Sequence, residues 1–178
     1  MPERSRIEQI HADIKRCTLC PLHKTRTNAV PGEGSENSRL VFVGEAPGAR
    51  EDESGMPFVG RSGQLLTSMI EEIDLKRDDV FITSILKCRP PDNRPPLRSE
   101  INACLPYLRR QIDTINPKFV VLLGGVAISS LIGPWTLSEA HGRFYEDGTR
   151  TYFMTYHPAA ALRFPKTGET MRADFRVL

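Results

Sequence analysis

KFVVLLGG, residues 118–125, decides the fold. From Phe119 to Leu123 the apolar run has no polar interruption, and it ends at two glycines. A strand with one wet face alternates polar and apolar positions, whereas a run like this one is buried on both sides, as the strands of a parallel sheet are. Three further stretches join it. RLVFVG (39–44) stops at the Gly-containing GEAPG, VFITSIL (80–86) is a second apolar run, and TYFMTYHPAAAL (151–162) begins as a strand that Pro158 ends.

Between these runs the period changes. Ile7, Ile10 and Ile14 repeat at helical spacing over 7–16, as do Leu65, Leu66, Met69, Ile70 and Ile73 over 62–73. Ile101, Leu105, Leu108, Ile112 and Ile115 mark a longer helix over 99–115, with Ser99 as its expected N-cap and Pro106 expected to bend or break it. A short helix is expected over 126–132. Strands alternating with helices make βαβ units, hence an α/β three-layer α/β/α sandwich on a mostly parallel sheet, read as a single domain over 1–178. Ligands of such folds sit beyond the carboxyl ends of the strands. Those ends here are GEAPG, KCRPP, GG and HPAA, and three of the four are also the most unusual stretches in the chain.

Composition narrows the class. With 39% hydrophobic and 26% charged residues the chain sits among ordinary globular proteins, which argues against extended disorder. No apolar run reaches the roughly 18 residues that a spanning helix needs. The N-terminus MPERSRIEQIHADIKRC is charged from its third residue and lacks the apolar core of a secretory signal, so a cytoplasmic location is expected. There thiols stay reduced, and an even cysteine count does not imply bridges. Net charge is only +2, but it is uneven. LKCRPPDNRPPLR (86–98) gathers Lys87, Arg89, Arg94 and Arg98 against Asp92, while GEAPGAREDE (44–53) gathers Glu45, Glu51, Asp52 and Glu53 against Arg50. The pair suits a site that holds an anion during chemistry; on charge alone it is also two solvated loops.

The cysteines fall in two pairs, Cys17 and Cys20 as C-x2-C and Cys88 and Cys104 as C-x15-C, with 67 residues between the pairs. Four thiolates suit zinc or an iron–sulfur cluster, and the spacing does not choose between them. The competing reading makes Cys88 and Cys104 small buried hydrophobes.

GEAPG, PFVGRSGQLL, ILKCRPPDNRPP and HPAA, together with cysteines in these positions, resemble the family 4 uracil-DNA glycosylases, the iron–sulfur type, from about Cys17 to Leu162. The resemblance implies a four-stranded parallel sheet, a 4Fe-4S cluster on Cys17, Cys20, Cys88 and Cys104, and hydrolysis of the N-glycosidic bond of uracil in DNA to leave an unnicked abasic site. Such a reaction makes an oxocarbenium-like sugar and a departing uracil anion, so it calls for a donor on the base and a placed water. By resemblance His157 of the HP motif is that donor, and Gly44, Glu45, Ala46 and Gly48 bring main-chain N–H groups around the base edge. Phe58 stacks on the base and denies room to purines. Ala46 stands where the related family 1 enzymes carry a water-activating aspartate in GQDPY, so the carboxylate falls to Glu51, the favoured one, or Glu45. Arg89, Arg94 and Arg98 are expected on phosphates, and Leu162 with Arg163 in the gap left by the extruded nucleotide.

One position departs from the family. The asparagine that reads the uracil edge, in a TN pair, is Ser84 in a TS pair here. An amide donates and accepts at fixed points, whereas a hydroxyl does either. A bridging water, a wider range of bases or weaker activity are the open outcomes. The rival function is an iron–sulfur DNA-binding module of the same fold with altered base specificity or lost catalysis. A nucleotide-processing enzyme is a third, for which a Gly-rich phosphate loop is missing. The expected partner is uracil-containing DNA, with a replication clamp as a candidate second partner, and the chain is expected to act as a monomer away from membranes.

Overall fold

A computed structural model describes residues 5–178. Its strands are β1 (Glu33–Gly34), β2 (Leu40–Gly44), β3 (Phe81–Ser84), β4 (Phe119–Leu123), β5 (Arg143–Glu146) and β6 (Thr151–Thr155). Its helices are α1 (Arg6–Arg16), α2 (Ala49–Ser54), α3 (Arg61–Glu71), α4 (Arg98–Ile115), α5 (Gly125–Leu131), α6 (Leu137–Ala140), α7 (Pro158–Arg163) and α8 (Pro165–Phe175). The sheet order is β1-β3-β2-β4-β6-β5. Its inner four strands are parallel and its two edge strands antiparallel, so the four-stranded parallel sheet expected above is the inner part of a six-stranded mixed one. Two residues of β1 and the polar RFYE of β5 carry no apolar run, which is why neither edge strand was expected.

The run at 119–123 lies between β2 and β6, and Val120 to Leu123 are at most 1% exposed. Alternate residues face two cores. Val41, Val43, Val120, Leu122 and Met154 pack with Ile7, Ile10 and Ile14 of α1 and with Leu108 and Ile112 of α4. Phe42, Val121, Leu123 and Phe153 pack with Leu66, Met69 and Ile70 of α3 and with Met171 and Phe175 of α8. A period of two in the strands therefore produces the three layers directly.

Local signals explain the helix ends. Ser5 and Glu8 form a reciprocal capping box at the start of α1, each side chain accepting the other's main-chain N–H. Helix α4 corrects two expectations. Its N-cap is Leu97 rather than Ser99, because the Glu100 carboxylate reaches back to the Leu97 N–H at 2.8 Å. Pro106 does not break it: the helix runs from Arg98 to Ile115 with that proline on its exposed side, where the ring displaces no packing.

Candidate active site

At the carboxyl ends of β2, β3 and β6 the chain encloses a cleft of about 270 Å³ whose walls include Ala46, Gly48, Glu51, Phe58, Ser84 and His157. Gly44, expected at the base, does not line the cleft: it pairs with Ser84 across β2 and β3 and packs under the Phe58 ring, which a Cβ there would strike. Phe58 holds φ at +50°, which costs a non-glycine residue about 1–3 kcal/mol and persists only where the surroundings over-determine it. They do so here. Arg77 donates to the Pro57 carbonyl at 2.5 Å while its other nitrogens hold Glu33 and Thr67, and Gly63 presents no Cβ to the Phe58 carbonyl. The ring ends up 8% exposed, its centroid 5.7 Å from that of His157.

His157 is the N-cap of α7, its Nδ1 accepting the Ala159 N–H at 3.1 Å. Acceptance at Nδ1 assigns the ring proton to Nε2. Burial lowers the imidazole to about 4 and nearby Glu51 opposes this without overcoming it, so the ring is neutral at physiological pH. Gly124, at φ +93°, leaves room for it: a Cβ there would lie 3.0 Å from the His157 Cβ. The cleft thus combines an aromatic face with a neutral ring that carries one N–H donor.

The acidic loop is not a solvated turn. Glu51 and Asp52 are buried and only Glu53 is exposed. Glu51 accepts three main-chain N–H groups, from Gly48 at 3.1 Å and from Val59 and Gly60 at 2.9 Å each. It therefore ties the β2 loop to the loop that carries Phe58, and it takes up the Gly48 N–H that was expected on the base. Asp52 accepts the Thr27 and Asn28 N–H groups. Glu45 differs. It borders an adjoining lobe with Ala46, Asn93, Arg94 and His157, its carboxylate has no hydrogen bond or ion pair among the described residues, and burial raises its pKa.

The basic loop also divides. Arg94 forks onto the buried Glu100 at 2.6 and 2.9 Å, so its charge is matched within the protein rather than free for phosphate. Arg89 donates to Asn93 Oδ1 at 2.8 Å, and Arg98 is exposed. Leu162, 44% exposed, lines a wide groove beside the cleft with Arg50, Arg61 and Ser62, while Arg163 lies over the Phe164 ring. Sequence reasoning missed Asn93, Arg50 and Arg61. Asn93, at φ +55°, lines the cleft as Ser84 does, and Arg89 holds its side-chain oxygen. Its only sequence signal was a turn-forming PDN.

Cys17, Cys20, Cys88 and Cys104 come together around one cavity between α1 and α4, none of them in a disulfide. Arg26 donates to Cys88 Sγ at 3.0 Å, and the Lys87 N–H donates to Cys104 Sγ at 3.3 Å. Burial raises the Cys88 thiol and pushes Cys104 to about 11, opposed by these donors and by the Lys87 charge. Among the described residues no three His, Cys, Asp or Glu side chains stand close enough to hold a single ion.

The fold is thus an α/β sandwich whose sheet-end cleft sets an aromatic ring beside a neutral imidazole with one N–H donor. The comparisons place it further. The family model for the uracil DNA glycosylase superfamily matches residues 31–177, and the chain belongs to that superfamily. It is 46% identical to the type-4 uracil-DNA glycosylase of Pyrobaculum aerophilum, over 96% of this chain and 89% of that protein. Against the type-4 enzyme of Archaeoglobus fulgidus identity is 44%, over 96% of this chain and 90% of that one. A DNA polymerase of Bacillus phage SP01 is 30% identical over 90% of this chain, which is 17% of the polymerase. Among the described residues no helix is long and apolar enough to cross a membrane.

Proposed function

We infer that the chain is a uracil-DNA glycosylase, a hydrolase that cuts the N-glycosidic bond of uracil in DNA and leaves an abasic site. The observation that carries the reading is the fixed tautomer of His157 beside the Phe58 ring. An extruded uracil stacked on Phe58 meets the Nε2–H of a ring that cannot take up a proton at neutral pH, so it gains a hydrogen-bond donor as negative charge develops on the leaving base. No lysine lines the cleft among the described residues, which favours attack by water over attack by an amine.

Of the two carboxylates, we assign the water and the sugar cation to Glu45, whose oxygens are free, and the holding of the loops to Glu51, whose acceptor sites are mostly taken by three N–H groups. Asn93 supplies the amide that position 84 lacks, its carbonyl turned to Arg89 and its NH2 left for the O4 edge of the base. The DNA strand is proposed to follow the groove of Arg50, Arg61 and Ser62, with Arg89 and Arg98 on its other flank and Leu162 entering the vacated stack. The four cysteines fit a 4Fe-4S cluster: soft donors surround one cavity, and N–H groups point at three of the sulfurs, those of Cys17, Cys88 and Cys104. Bound there, a cluster would cross-link α1, the loop after β3 and α4 as a structural element.

The whole chain is proposed as one domain, since nearly all of it aligns within a small share of a much larger protein. It is further proposed to act in the cytoplasm as a monomer on DNA, with a replication clamp as a second partner. The test is incubation of cluster-loaded protein with a uracil-containing oligonucleotide, followed by alkali. Strand cleavage that requires both uracil and His157 supports the reading; an intact strand leaves the rival binding module.

A further inference from the structure

Lys87 has no part in the chemistry above, yet it alone among the described lysines is buried, at 1% exposure. Among the described residues it pairs with no carboxylate. Its Nζ donates to Thr83 Oγ1 at 2.5 Å and to the Ser84 carbonyl at 2.8 Å. An ammonium that meets only neutral oxygens in a protein interior lacks much of its lost hydration and calls for a counter-charge. Lys87 lines the cysteine cavity, and its own N–H donates to Cys104 Sγ at 3.3 Å. On the opposite side its carbonyl accepts the Val30 N–H at 2.7 Å. Val30 and Ser84 both line the base cleft. The main chain of this residue thus reaches both sites, and its side chain reaches the cleft wall from a residue that lines the cysteine cavity. Arg26, whose guanidinium donates to Cys88 Sγ, has its further bond to the Lys15 carbonyl, away from the cleft.

We propose that Lys87 is a positioning residue that couples the two sites: its ammonium is the counter-charge of the four-cysteine site, and the same Nζ holds the Ser84 carbonyl at the wall of the base cleft. Only the catalytic arm of this proposal rests on the glycosylase reading. Lys87→Met removes the charge and the bond together. Lys87→Gln removes the charge but keeps an N–H donor for the Ser84 carbonyl on a stem one bond shorter.

Both variants and the wild type are compared as cluster-loaded proteins by iron and sulfide content, by the cluster's midpoint potential in a spectroelectrochemical titration, and by kcat and KM on a single-stranded uracil oligonucleotide. Both variants are expected to shift the potential in the negative direction, because a nearby positive charge favours the added electron. Lys87→Met is expected to lower kcat about 10- to 100-fold with KM little changed, the size of effect that a displaced cleft wall produces. Lys87→Gln is expected to recover most of kcat while keeping the shifted potential. An unshifted potential in both overturns the charge role. Full kcat in Lys87→Met, or a loss that Lys87→Gln does not recover, overturns the positioning role. If the wild type itself releases no uracil, the glycosylase reading fails while the potential still decides the charge role. Should neither variant accumulate with a cluster, hydrogen exchange of the wild type before and after chelation decides. Protection lost as far as the Val30 and Ile85 amides supports the coupling, and loss confined to the cysteine-bearing segments overturns it.

Discussion

Removing the charge of Glu51 and of Glu45 separately should split stability from catalysis. Glu51→Gln keeps one carbonyl oxygen, enough for the Val59 and Gly60 N–H groups now at 2.9 Å. The new NH2 then faces the Gly48 N–H, which loses its acceptor at 3.1 Å. Two charge-assisted bonds become neutral, at about 1 kcal/mol each, and one partly buried donor is left unpaired at about 1–3 kcal/mol, for a total of about 3–5 kcal/mol. At roughly 2–4 °C per kcal/mol for a chain of this size, melting should fall by about 6–20 °C. Glu45 has no partner to lose, and burial raises its pKa. The folded state therefore holds that proton more tightly than the unfolded chain does, so ionisation costs stability as pH rises through the unfolded and then the folded pKa. Glu45→Gln should accordingly melt at or above the wild-type temperature at neutral pH, yet lose most of its single-turnover rate on a uracil oligonucleotide. The acid limb of the wild-type rate should lie above the ordinary glutamate range and vanish in that variant. Calorimetry and quenched-flow base release measure both effects. Unchanged melting for Glu51→Gln, or full turnover for Glu45→Gln, would refute the assignment.

His157→Ala should lower kcat about 100- to 1000-fold, as loss of one oxyanion-type donor does. The wild-type rate should show no inflection near 6.5, because the ring titrates at about 4; an inflection there would mean that the charged ring acts. The same shift predicts that stability falls as pH drops from 6.5 towards 4, where the unfolded chain binds a proton that the folded one does not, as acid titration of the melting temperature would record. Ser84→Asn should restore a second amide to the cleft and raise the ratio of uracil to hypoxanthine release about tenfold or more, read on paired oligonucleotides, about 1.4 kcal/mol of discrimination. Arg61→Ala should reduce the slope of log affinity against log salt by about one for an abasic-site oligonucleotide, whereas Arg94→Ala, whose charge Glu100 matches, should leave that slope unchanged.

The parts of this fold that could be read in advance are those whose cause is local. Residues 119–123 announce a double-sided strand because every position is apolar, and α1 announces itself because Ile7, Ile10 and Ile14 repeat at helical spacing. Edge strand β1 is two residues long and owes its existence to Phe81 and Ile82 of a strand far along the chain, so no local pattern could show it. The same division holds in the cleft. Phe58, His157 and the four cysteines were legible through their motifs. The placement of Glu51 depends on residues 57–60 folding back over α2, and that of Asn93 on Arg89 turning its amide, so residue type alone gave Glu51 a different task and left Asn93 unnoticed.

The serine at position 84 is less of a defect than it looks as a letter in the sequence. Nothing at the end of β3 relies on its side chain: the strand end is held by its carbonyl on Lys87 Nζ, by the Thr83 hydroxyl on the Pro31 carbonyl and by the Ile85 N–H on the Gly44 carbonyl. A cleft wall fixed through main-chain atoms keeps its shape whichever small polar residue sits there, so a change at 84 alters what is read without moving the Phe58 ring or the imidazole. Base reading is then free to shift to Asn93, which reaches the same cleft from the loop after Cys88. That loop is rooted at the cysteine cavity through Cys88 and Lys87. The physical consequence is that selectivity, more than bond cleavage, should be sensitive to whatever the thiols hold: His157 caps α7 just beyond β6 and Phe58 lies on the α3 side of the sheet, whereas the amide proposed to read the base edge hangs from the thiol-bearing side.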